Sequence, residues 1–346
     1  MPRATRAARP ATSAADLPLS FPPEWAPQEW LWIGFPHDRS EWGDAFDRAQ
    51  EQIAAFASAV AASGQEARLV VRDEANEARA RSLADDAVML ERADYGDVWL
   101  RDTGPLVLCG PRGERVAQRF AFNGWGEKYR MEGDETVGAQ LAEAAGLPVQ
   151  AAGWVLEGGA IDHDGTGLAV TTEQCLLNPN RNAGMSREEI EAALRRDLGF
   201  ERVLWLGDGL LNDHTDGHVD NLARFIAPGV LALPRATGAD DPNAGIYANA
   251  KARAEAFGLE LREVPSPGRI ERDGAIEPAS YMNFTVTTEL VVVPTFGSSH
   301  DEAGVAAIAA LFPDRATIGL PADAVLAGGG GFHCASQQMP MARAAI

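Results

Sequence analysis

The chain has 346 residues, of which 46% are hydrophobic and 23% are charged, a composition that excludes disorder throughout. Thirty basic residues against 50 acidic ones give a formal net charge of −20. This charge repels nucleic-acid phosphates and anionic lipid, so we expect no nucleic acid and no membrane as partner, and it favours a small cationic molecule.

The cysteines and the N-terminal segment place the chain in a reducing compartment. Cys109, Cys175 and Cys334 cannot all pair with one another, so we expect a cytoplasmic protein without a disulfide scaffold. No apolar run reaches the ~18 residues of a membrane span. Residues 1–20 lack the ~7–15-residue apolar core of a signal peptide and are predicted to be a flexible tail, with a transit peptide as the alternative. Without a linker after it, residues 21–346 are predicted to be a single catalytic domain.

Helical periods alternate with short apolar runs along the rest of the chain, and this alternation predicts an α/β fold. Helices are predicted over residues 44–63, 74–83, 135–145, 186–198, 242–257 and 299–312. Strands are predicted over residues 68–71, 98–100, 106–108, 168–171, 203–206, 230–233, 290–293 and 317–320. The helix starts near 186, 243 and 300 are 57 residues apart, which fits either a repeated strand–helix unit or a coincidence.

A glycine run ends in the sharpest candidate for a reactive group, in residues 328–334 (GGGGFHC). Four consecutive glycines cost backbone entropy, and they are useful where the chain turns tightly or approaches a ligand. Cys334 beside them can be a nucleophile if positive charge or a hydrogen bond lowers its pKa. The alternative is an inert buried thiol, which we expect for Cys109 and Cys175 in their apolar runs.

Residues 212–221 (NDHTDGHVDN) concentrate histidines and aspartates. His218 and Asp220 would share one face of an extended segment, as expected for an acid–base histidine beside a carboxylate that binds a cation. The i,i+4 spacing of His214 and His218 also fits a metal site, although Gly217 weakens a helix there. A solvated polar loop is the third interpretation.

Two further motifs and the tryptophans are weak signals when taken alone. Residues 99–105 (WLRDTGP) fit a salt bridge and a turn, and residues 156–159 (LEGG) fit a chain that approaches a pocket. Four tryptophans near the start predict core packing, with an aromatic wall against a cation as the alternative. These are Trp25, Trp30, Trp32 and Trp42.

Taken together, the motifs resemble the agmatine deiminase family, within the group of guanidine-modifying enzymes that includes the bacterial peptidylarginine deiminases. The resemblance runs from residue 23 to residue 340. The matching segments are residues 30–37 (WLWIGFPH), 99–105, 122–126 (FNGWG), 156–159, 177–182 (LNPNRN), 215–221 (TDGHVDN), 279–284 (ASYMNF) and 329–334 (GGGFHC). Their number and order make the set specific.

The resemblance implies a pentein fold, a five-bladed α/β propeller with pseudo-fivefold repeats of strand–helix units. It also implies hydrolysis of a guanidinium, most simply that of agmatine, to a ureido product, N-carbamoylputrescine, and ammonia. The implied route passes through a cysteine-bound thiouronium and requires no metal and no organic cofactor. This reaction belongs to polyamine biosynthesis toward putrescine. The oligomeric state stays open, with a homo-oligomer as one alternative.

Carried over by position, the resemblance assigns the nucleophile to Cys334 and the acid/base to His218. Asp102 and Asp220 fall on the carboxylates that bind the guanidinium, and Glu157 falls on the acidic residue that supports the histidine or the substrate. Further substrate-site residues are expected at Trp99, Asp213, Asp216 and Asn283. The chain departs from the family at His214, where a carboxylate is common, so Asp213 or Asp216 would contact the distal amine.

Other functions stay open at this point. A peptidylarginine or free-arginine deiminase would share the core residues, and free arginine would need a cationic partner from Arg101, Arg181 or Arg224. An amidinotransferase would pass the amidino group to an amine instead of water. A non-enzymatic binder of guanidino compounds or polyamines would need no thiol. A metallohydrolase built on His214, His218 and Asp220 would lose its activity with chelators.

Overall fold

The computed structural model describes residues 19–342. Of the tail predicted over residues 1–20, residues 1–18 lie outside the described residues. Ser20 forms an antiparallel bridge with Cys109, which ties the start of the described chain to the interior. Within residues 19–342, no helix is long and apolar enough to cross a membrane.

Strands and helices alternate along the described chain. The strands are β1 (Gln28–Gly34), β2 (Glu66–Val71), β3 (Met89–Arg92), β4 (Leu106–Cys109), β5 (Arg115–Ala121), β6 (Val149–Val155), β7 (Asp162–His163), β8 (Leu168–Thr172), β9 (Arg202–Leu206), β10 (Arg224–Ala227), β11 (Val230–Arg235), β12 (Glu260–Pro265), β13 (Glu271–Arg272), β14 (Ala275–Ile276), β15 (Thr285–Val286), β16 (Leu290–Thr295), β17 (Ala316–Pro321) and β18 (Ser336–Pro340). The helices are α1 (Arg39–Trp42), α2 (Phe46–Ala62), α3 (Glu74–Leu83), α4 (Leu100–Thr103), α5 (Gly124–Glu127), α6 (Asp134–Ala144), α7 (Glu173–Leu176), α8 (Arg187–Leu198), α9 (Ala244–Phe257), α10 (Asp301–Leu311) and α11 (Asp323–Ala327).

The larger sheets of the described chain repeat one pattern, an antiparallel pair continued by a parallel strand. Their orders are β4-β5-β6, β7-β8-β9, β10-β11-β12, β15-β16-β17 and β18-β1-β2-β3. In the last of these sheets, β18 near the C-terminus pairs antiparallel with β1, and β1 pairs parallel with β2. The two ends of the described chain therefore complete one sheet.

The long helices follow from amphipathic patterns and local caps. At α8, the Ser186 side chain accepts from the Glu189 backbone N–H, and the Glu189 carboxylate accepts from the Ser186 backbone N–H. Ile190 and Leu194 of this helix are buried in the core. The helices α8, α9 and α10 begin at 187, 244 and 301, so the predicted spacing of 57 residues is present in the structure. The α/β class is confirmed.

The strand predicted over residues 98–100 is wrong. The chain instead enters the short helix α4, in which the Trp99 carbonyl accepts from the backbone N–H groups of Asp102 and Thr103. The run of three apolar residues is buried on all sides, and a buried turn has the same sequence pattern as a buried strand. Sequence reasoning also missed β1, β3, β5, β6, β7, β10, β12, β13, β14, β15 and β18.

A short turn or helix precedes the first strand of each of these sheets. The helix α4 precedes β4, and 3₁₀ turns precede β7, β10 and β15. These turns are Gly158–Ala160, Val219–Asn221 and Tyr281–Asn283. The glycine run at residues 328–331 and the turn at Cys334 precede β18 in the same way. The functional residues predicted from sequence lie in or beside these segments, which places residues far apart in sequence around one region.

Candidate active site

A partly open cavity of about 170 Å³ lies among these segments. Its polar lining consists of Glu41, Asp97, Asp102, His214, Thr215 and Cys334. Aromatic and apolar side chains, among them Trp99, Trp125, Tyr129 and Met131, complete the walls. The lining is acidic and aromatic, which suits a cation with an alkyl chain.

Cys334 is largely buried, with 6% of its surface exposed, and its thiol lines the cavity. The Asn283 side chain binds it twice: Nδ2 donates to Sγ at 2.9 Å, and Oδ1 accepts from the Cys334 backbone N–H at 3.2 Å. Sγ also lies 3.5 Å from Asp220 Oδ2. Burial, with the negative charges of Asp220 and Asp102, raises the pKa of Cys334 well above its usual range. The thiol is therefore protonated before a cation enters.

The glycine run exists because its neighbours leave no room for side chains. A Cβ on Gly328 would lie 2.6 Å from the Trp42 ring, and a Cβ on Gly330 would lie 2.7 Å from the Trp99 ring. A Cβ on Gly331 would lie 2.6 Å from Asn283 Oδ1. The glycine backbone thus approaches other groups closely, as predicted. These groups are protein side chains beside the nucleophile.

Asp102, from α4, is fixed by two donors. The Trp125 indole N–H donates to Oδ2 at 2.8 Å, and the Gly159 backbone N–H donates to Oδ1 at 2.9 Å. Trp125 has a φ of 52°, a left-handed conformation that non-glycine residues rarely adopt. This uncommon backbone geometry directs the indole at Asp102.

His218 is buried among acidic and sulfur groups. Its Nδ1 lies 3.7 Å from Asp102 Oδ1, and neither ring nitrogen has a hydrogen-bond partner among the described residues. Burial alone would lower the pKa of His218, but the negative charge of Asp102 and the nearby Cys175 and Glu157 outweigh it. The net result is a pKa well above the usual range, so the imidazole is protonated at neutral pH.

These side chains converge beside Gly159. A Cβ on Gly159 would lie 2.6 Å from His218 Nδ1, 2.9 Å from Asp102 Oδ1 and 3.1 Å from Asp220 Oδ2. Asp220 Oδ2 in turn lies 3.5 Å from the Cys334 sulfur. The thiol, the imidazole and two carboxylates thus surround one space, as the sequence interpretation required.

Glu157 lies behind His218. Arg181 Nε donates to Glu157 Oε1 at 2.6 Å, and Glu157 Oε2 has no hydrogen-bond partner among the described residues. Glu157, Cys175 and His218 place potential metal-ligand atoms within 4.8 Å of one another. The Arg181 guanidinium neutralises the carboxylate of this trio and would repel a metal cation. His214, which the sequence analysis included in a possible metal site, is not one of these three residues.

Asp213 and Asp216 do not line the cavity, and the contact of one of them with the substrate amine stays a prediction. Asp213 Oδ1 accepts from the backbone N–H and the hydroxyl of Thr215, which closes a local turn. Asp216 binds Arg181 at 2.6 Å and Lys128 at 2.8 Å. Both carboxylates stabilise the loop that carries His218.

The remaining predicted residues divide between the cavity and its surroundings. Trp99 lines the cavity and stacks on Trp42 with ring centroids 5.8 Å apart. Asn283 contacts the thiol and does not belong to the cavity lining. Sequence reasoning missed Glu41, which lies at the cavity, and Asp97, whose Oδ2 accepts from the Trp99 indole at 2.7 Å. No motif marked either residue.

Comparison with known proteins decides the family. The family model for Porphyromonas-type peptidyl-arginine deiminase matches residues 20–340. The chain belongs to this family. It is 35% identical to an agmatine deiminase of Ectopseudomonas mendocina, over 92% of this chain and 95% of that protein.

Solved structures of deiminases share the fold. The agmatine deiminase of Enterococcus faecalis superposes with a TM-score of 0.89 at 30% identity, over 94% of this chain and 96% of that one. A cysteine-to-serine variant of C. jejuni agmatine deiminase with substrate bound superposes with a TM-score of 0.88 at 27% identity, over 94% of this chain and 97% of that one. The family relationship identified from the motifs is confirmed, and the chain has the mixed α/β pentein fold of these relatives.

Proposed function

We propose that this protein is a deiminase that hydrolyses agmatine to N-carbamoylputrescine and ammonia. The observation that carries the proposal is the meeting of the Cys334 thiol, the His218 imidazole and the carboxylates of Asp102 and Asp220 around one buried space. The relatives named as agmatine deiminases, and the substrate-bound serine variant among them, support the same chemistry.

In this proposal Asp102 and Asp220 bind the planar guanidinium. A guanidinium offers several N–H donors in one plane, and carboxylates accept them as charge-assisted hydrogen bonds. Asp220 Oδ1 has no hydrogen-bond partner among the described residues and is available for such a contact. The bound cation offsets the negative charges that raise the pKa of Cys334, so the thiol releases its proton to solvent when substrate binds.

The first half of the reaction forms a carbon–sulfur bond. The Cys334 thiolate attacks the guanidinium carbon and gives a neutral tetrahedral adduct. Protonated His218 then gives its proton to the departing nitrogen, the carbon–nitrogen bond breaks, and ammonia leaves. A cationic thiouronium remains on the sulfur, and the adjacent carboxylates stabilise its charge.

The second half reverses the proton transfer at the same imidazole. Neutral His218 takes a proton from water as the water oxygen attacks the thiouronium carbon. The carbon–sulfur bond breaks, Cys334 departs as the thiolate, and the ureido product loses its extra proton to solvent. Glu157, which places a carboxylate oxygen within 4.8 Å of a ring nitrogen of His218, stabilises the protonated imidazole by its charge.

The charge of the cavity favours agmatine over free arginine. Among residues 19–342, no lysine or arginine lines it, so a substrate carboxylate would find no cationic partner. The three arginines considered for that role are bound elsewhere: Arg101 to Gln338, Arg181 to Glu157 and Arg224 to Asp162. Glu41 and Asp97 add acidic groups to the lining, which suits the second positive charge of agmatine.

The finer features of the fold and setting belong to the same proposal. The five repeating sheets support a five-bladed propeller about a pseudo-fivefold axis, with residues 21–346 as one catalytic domain. A product that leads to putrescine places the enzyme in polyamine biosynthesis. A cytoplasmic location belongs to the same proposal, because three cysteines cannot all pair with one another.

The test is an ammonia-release assay that compares agmatine, free arginine and a peptidyl-arginine as substrates, each with and without a chelator. We expect agmatine to be turned over with the highest kcat/KM and the chelator to have no effect. Preference for peptidyl-arginine or arginine would reassign the substrate. Loss of activity with the chelator would support the metallohydrolase instead.

A further inference from the structure

The imidazole of His333, which directly precedes the nucleophile, lies buried between two carboxylates. Its Nδ1 is 2.8 Å from Asp220 Oδ2, and its Nε2 is 3.0 Å from Glu24 Oε2. Only 3% of its surface is exposed. Neither sequence motif reasoning nor the proposed mechanism uses this side chain.

Each ring nitrogen of His333 lies within hydrogen-bond distance of a carboxylate oxygen. Burial alone would raise the pKa of both carboxyls. At Glu24, the nearby Arg224 and His333 outweigh the effect of burial. At Asp220, His333 outweighs it. The pKa of each carboxyl is therefore lowered, and an ionised carboxylate can only accept hydrogen bonds. The chain Glu24–His333–Asp220 thus joins two hydrogen-bond acceptors through one imidazole ring.

Glu24 anchors this chain to rigid parts of the fold. Its Oε1 accepts from the Val286 backbone N–H of β15 at 2.7 Å, and its Oε2 binds Arg224 as well as His333. Arg224 in turn binds Asp162 at 2.7 Å and the Phe284 carbonyl at 2.8 Å. The ring is therefore fixed on the side away from Asp220.

At the other end, His333 determines how Asp220 presents its oxygens. Oδ2 is occupied by the imidazole and lies 3.5 Å from the Cys334 sulfur, whereas Oδ1 has no partner among the described residues. We propose that His333 is a positioning residue that binds Asp220 Oδ2, leaves Oδ1 for a guanidinium N–H, and reduces the negative charge facing the nucleophile. This inference rests on the proposed deiminase function for its kinetic consequence.

Two substitutions test the two ring nitrogens of His333 separately. In His333→Asn, the amide nitrogen takes the place of Nδ1 and can still donate to Asp220. In His333→Gln, the amide nitrogen takes the place of Nε2 and can donate only to Glu24. We expect the glutamine variant to raise the KM for agmatine about tenfold or more, and the asparagine variant to stay within about threefold of the unmodified enzyme. Melting temperatures of both variants report their folding.

A purely structural role would give a different pattern. Equal KM changes in the two variants, or losses that only follow the folded fraction, would overturn the proposal. If His333→Gln does not fold, a folded His333→Asn variant with a tenfold higher KM would overturn it alone, and one within threefold would support it.

Alkylation of Cys334 by iodoacetamide at pH 8 tests His333 without turnover. We expect the rate, followed by mass spectrometry, to fall about threefold or more in His333→Gln relative to His333→Asn, because Asp220 then faces the thiol without its donor. Equal rates would contradict the role of His333. Failure of the unmodified protein to turn over any guanidino substrate would instead refute the proposed function, and the alkylation rates would still decide this inference.

Discussion

The Cβ that Gly159 lacks would lie 2.6 Å from His218 Nδ1. The same point lies 2.9 Å from Asp102 Oδ1 and 3.1 Å from Asp220 Oδ2. The absence of a side chain at Gly159 thus allows these three catalytic and binding groups to come close to its backbone, where a Cβ would clash with them. We infer that the guanidinium is bound against this glycine.

Substitution of Gly159 by alanine should block the site. The added methyl group has to displace buried side chains that the substrate needs, so we expect kcat/KM for agmatine to fall about a hundredfold, or ~2.7 kcal/mol. Gly153→Ala is the matched control, because a Cβ there meets nothing within 4 Å. Unchanged kinetics in Gly159→Ala would place the substrate elsewhere.

Asp102→Asn should weaken substrate binding. The asparagine keeps one acceptor, but it removes the negative charge and brings an amide N–H against a donor, either Trp125 or Gly159. We expect KM for agmatine to rise about tenfold to a hundredfold, or ~1.4–2.7 kcal/mol, above the ~0–1 kcal/mol of an exposed ion pair. Asp47→Asn, in the exposed pair with Arg39, is the control and should leave KM unchanged. A similar KM in both variants would exclude Asp102 from the pocket.

The pH dependence of kcat/KM should reflect two raised pKa values. The reacting form needs a Cys334 thiolate and a protonated His218, so activity rises with pH as Cys334 loses its proton and declines as His218 loses the proton it must donate. Because the pKa of His218 is raised, this decline lies well above the ordinary imidazole value of ~6.5. Asp102→Asn should move the decline to lower pH. A decline of the unmodified enzyme centred near pH ~6.5 would contradict the assignment of His218 as the acid.

Asp97 should make the fold less stable as the pH rises. Burial raises its pKa to about 7, and the charge of Asp134 contributes to the rise. The unfolded chain releases this proton near pH ~4, so the free energy of unfolding declines between pH ~4 and ~7, by at most about 4 kcal/mol.

Asp97→Asn tests this decline, since an amide does not titrate. Melting temperatures at pH 5 and pH 8 should show the variant gaining stability relative to the unmodified protein as the pH rises. The change with pH is the informative quantity, because the amide also alters the contacts with the Trp42 and Trp99 indoles. A difference that does not change with pH would show that Asp97 is already ionised at pH 5.

Local signals predicted the long helices well and many of the strands poorly. The capping box at Ser186 and the stripe that includes Ile190 lie within one helix, so the sequence carries all the information needed for α8. By contrast, β6 is largely exposed, with Val149 44% exposed, and its two alanines and Gly153 have low strand propensity. Such strands exist because a neighbouring strand pairs with them, and pairing is not visible in local periodicity.

The site was predictable only in part. The order of the motifs assigned Cys334, His218, Asp102 and Asp220, which the structure brings together. The contact between His333 and Glu24 joins residues 309 apart in sequence, and no motif pairs them. The loop position of Asp213 fits either a substrate contact or a turn, and only the structure shows Thr215 as its partner.

The central claim is that the Cys334 sulfur attacks the guanidinium carbon, and ammonia release by Cys334→Ser measures it most directly. We predict that this variant releases no ammonia from agmatine above background. Cys109→Ser, which changes a thiol in β4 away from the cavity, should retain turnover. Ammonia release by folded Cys334→Ser at a substantial fraction of the unmodified rate would show that another group performs the attack.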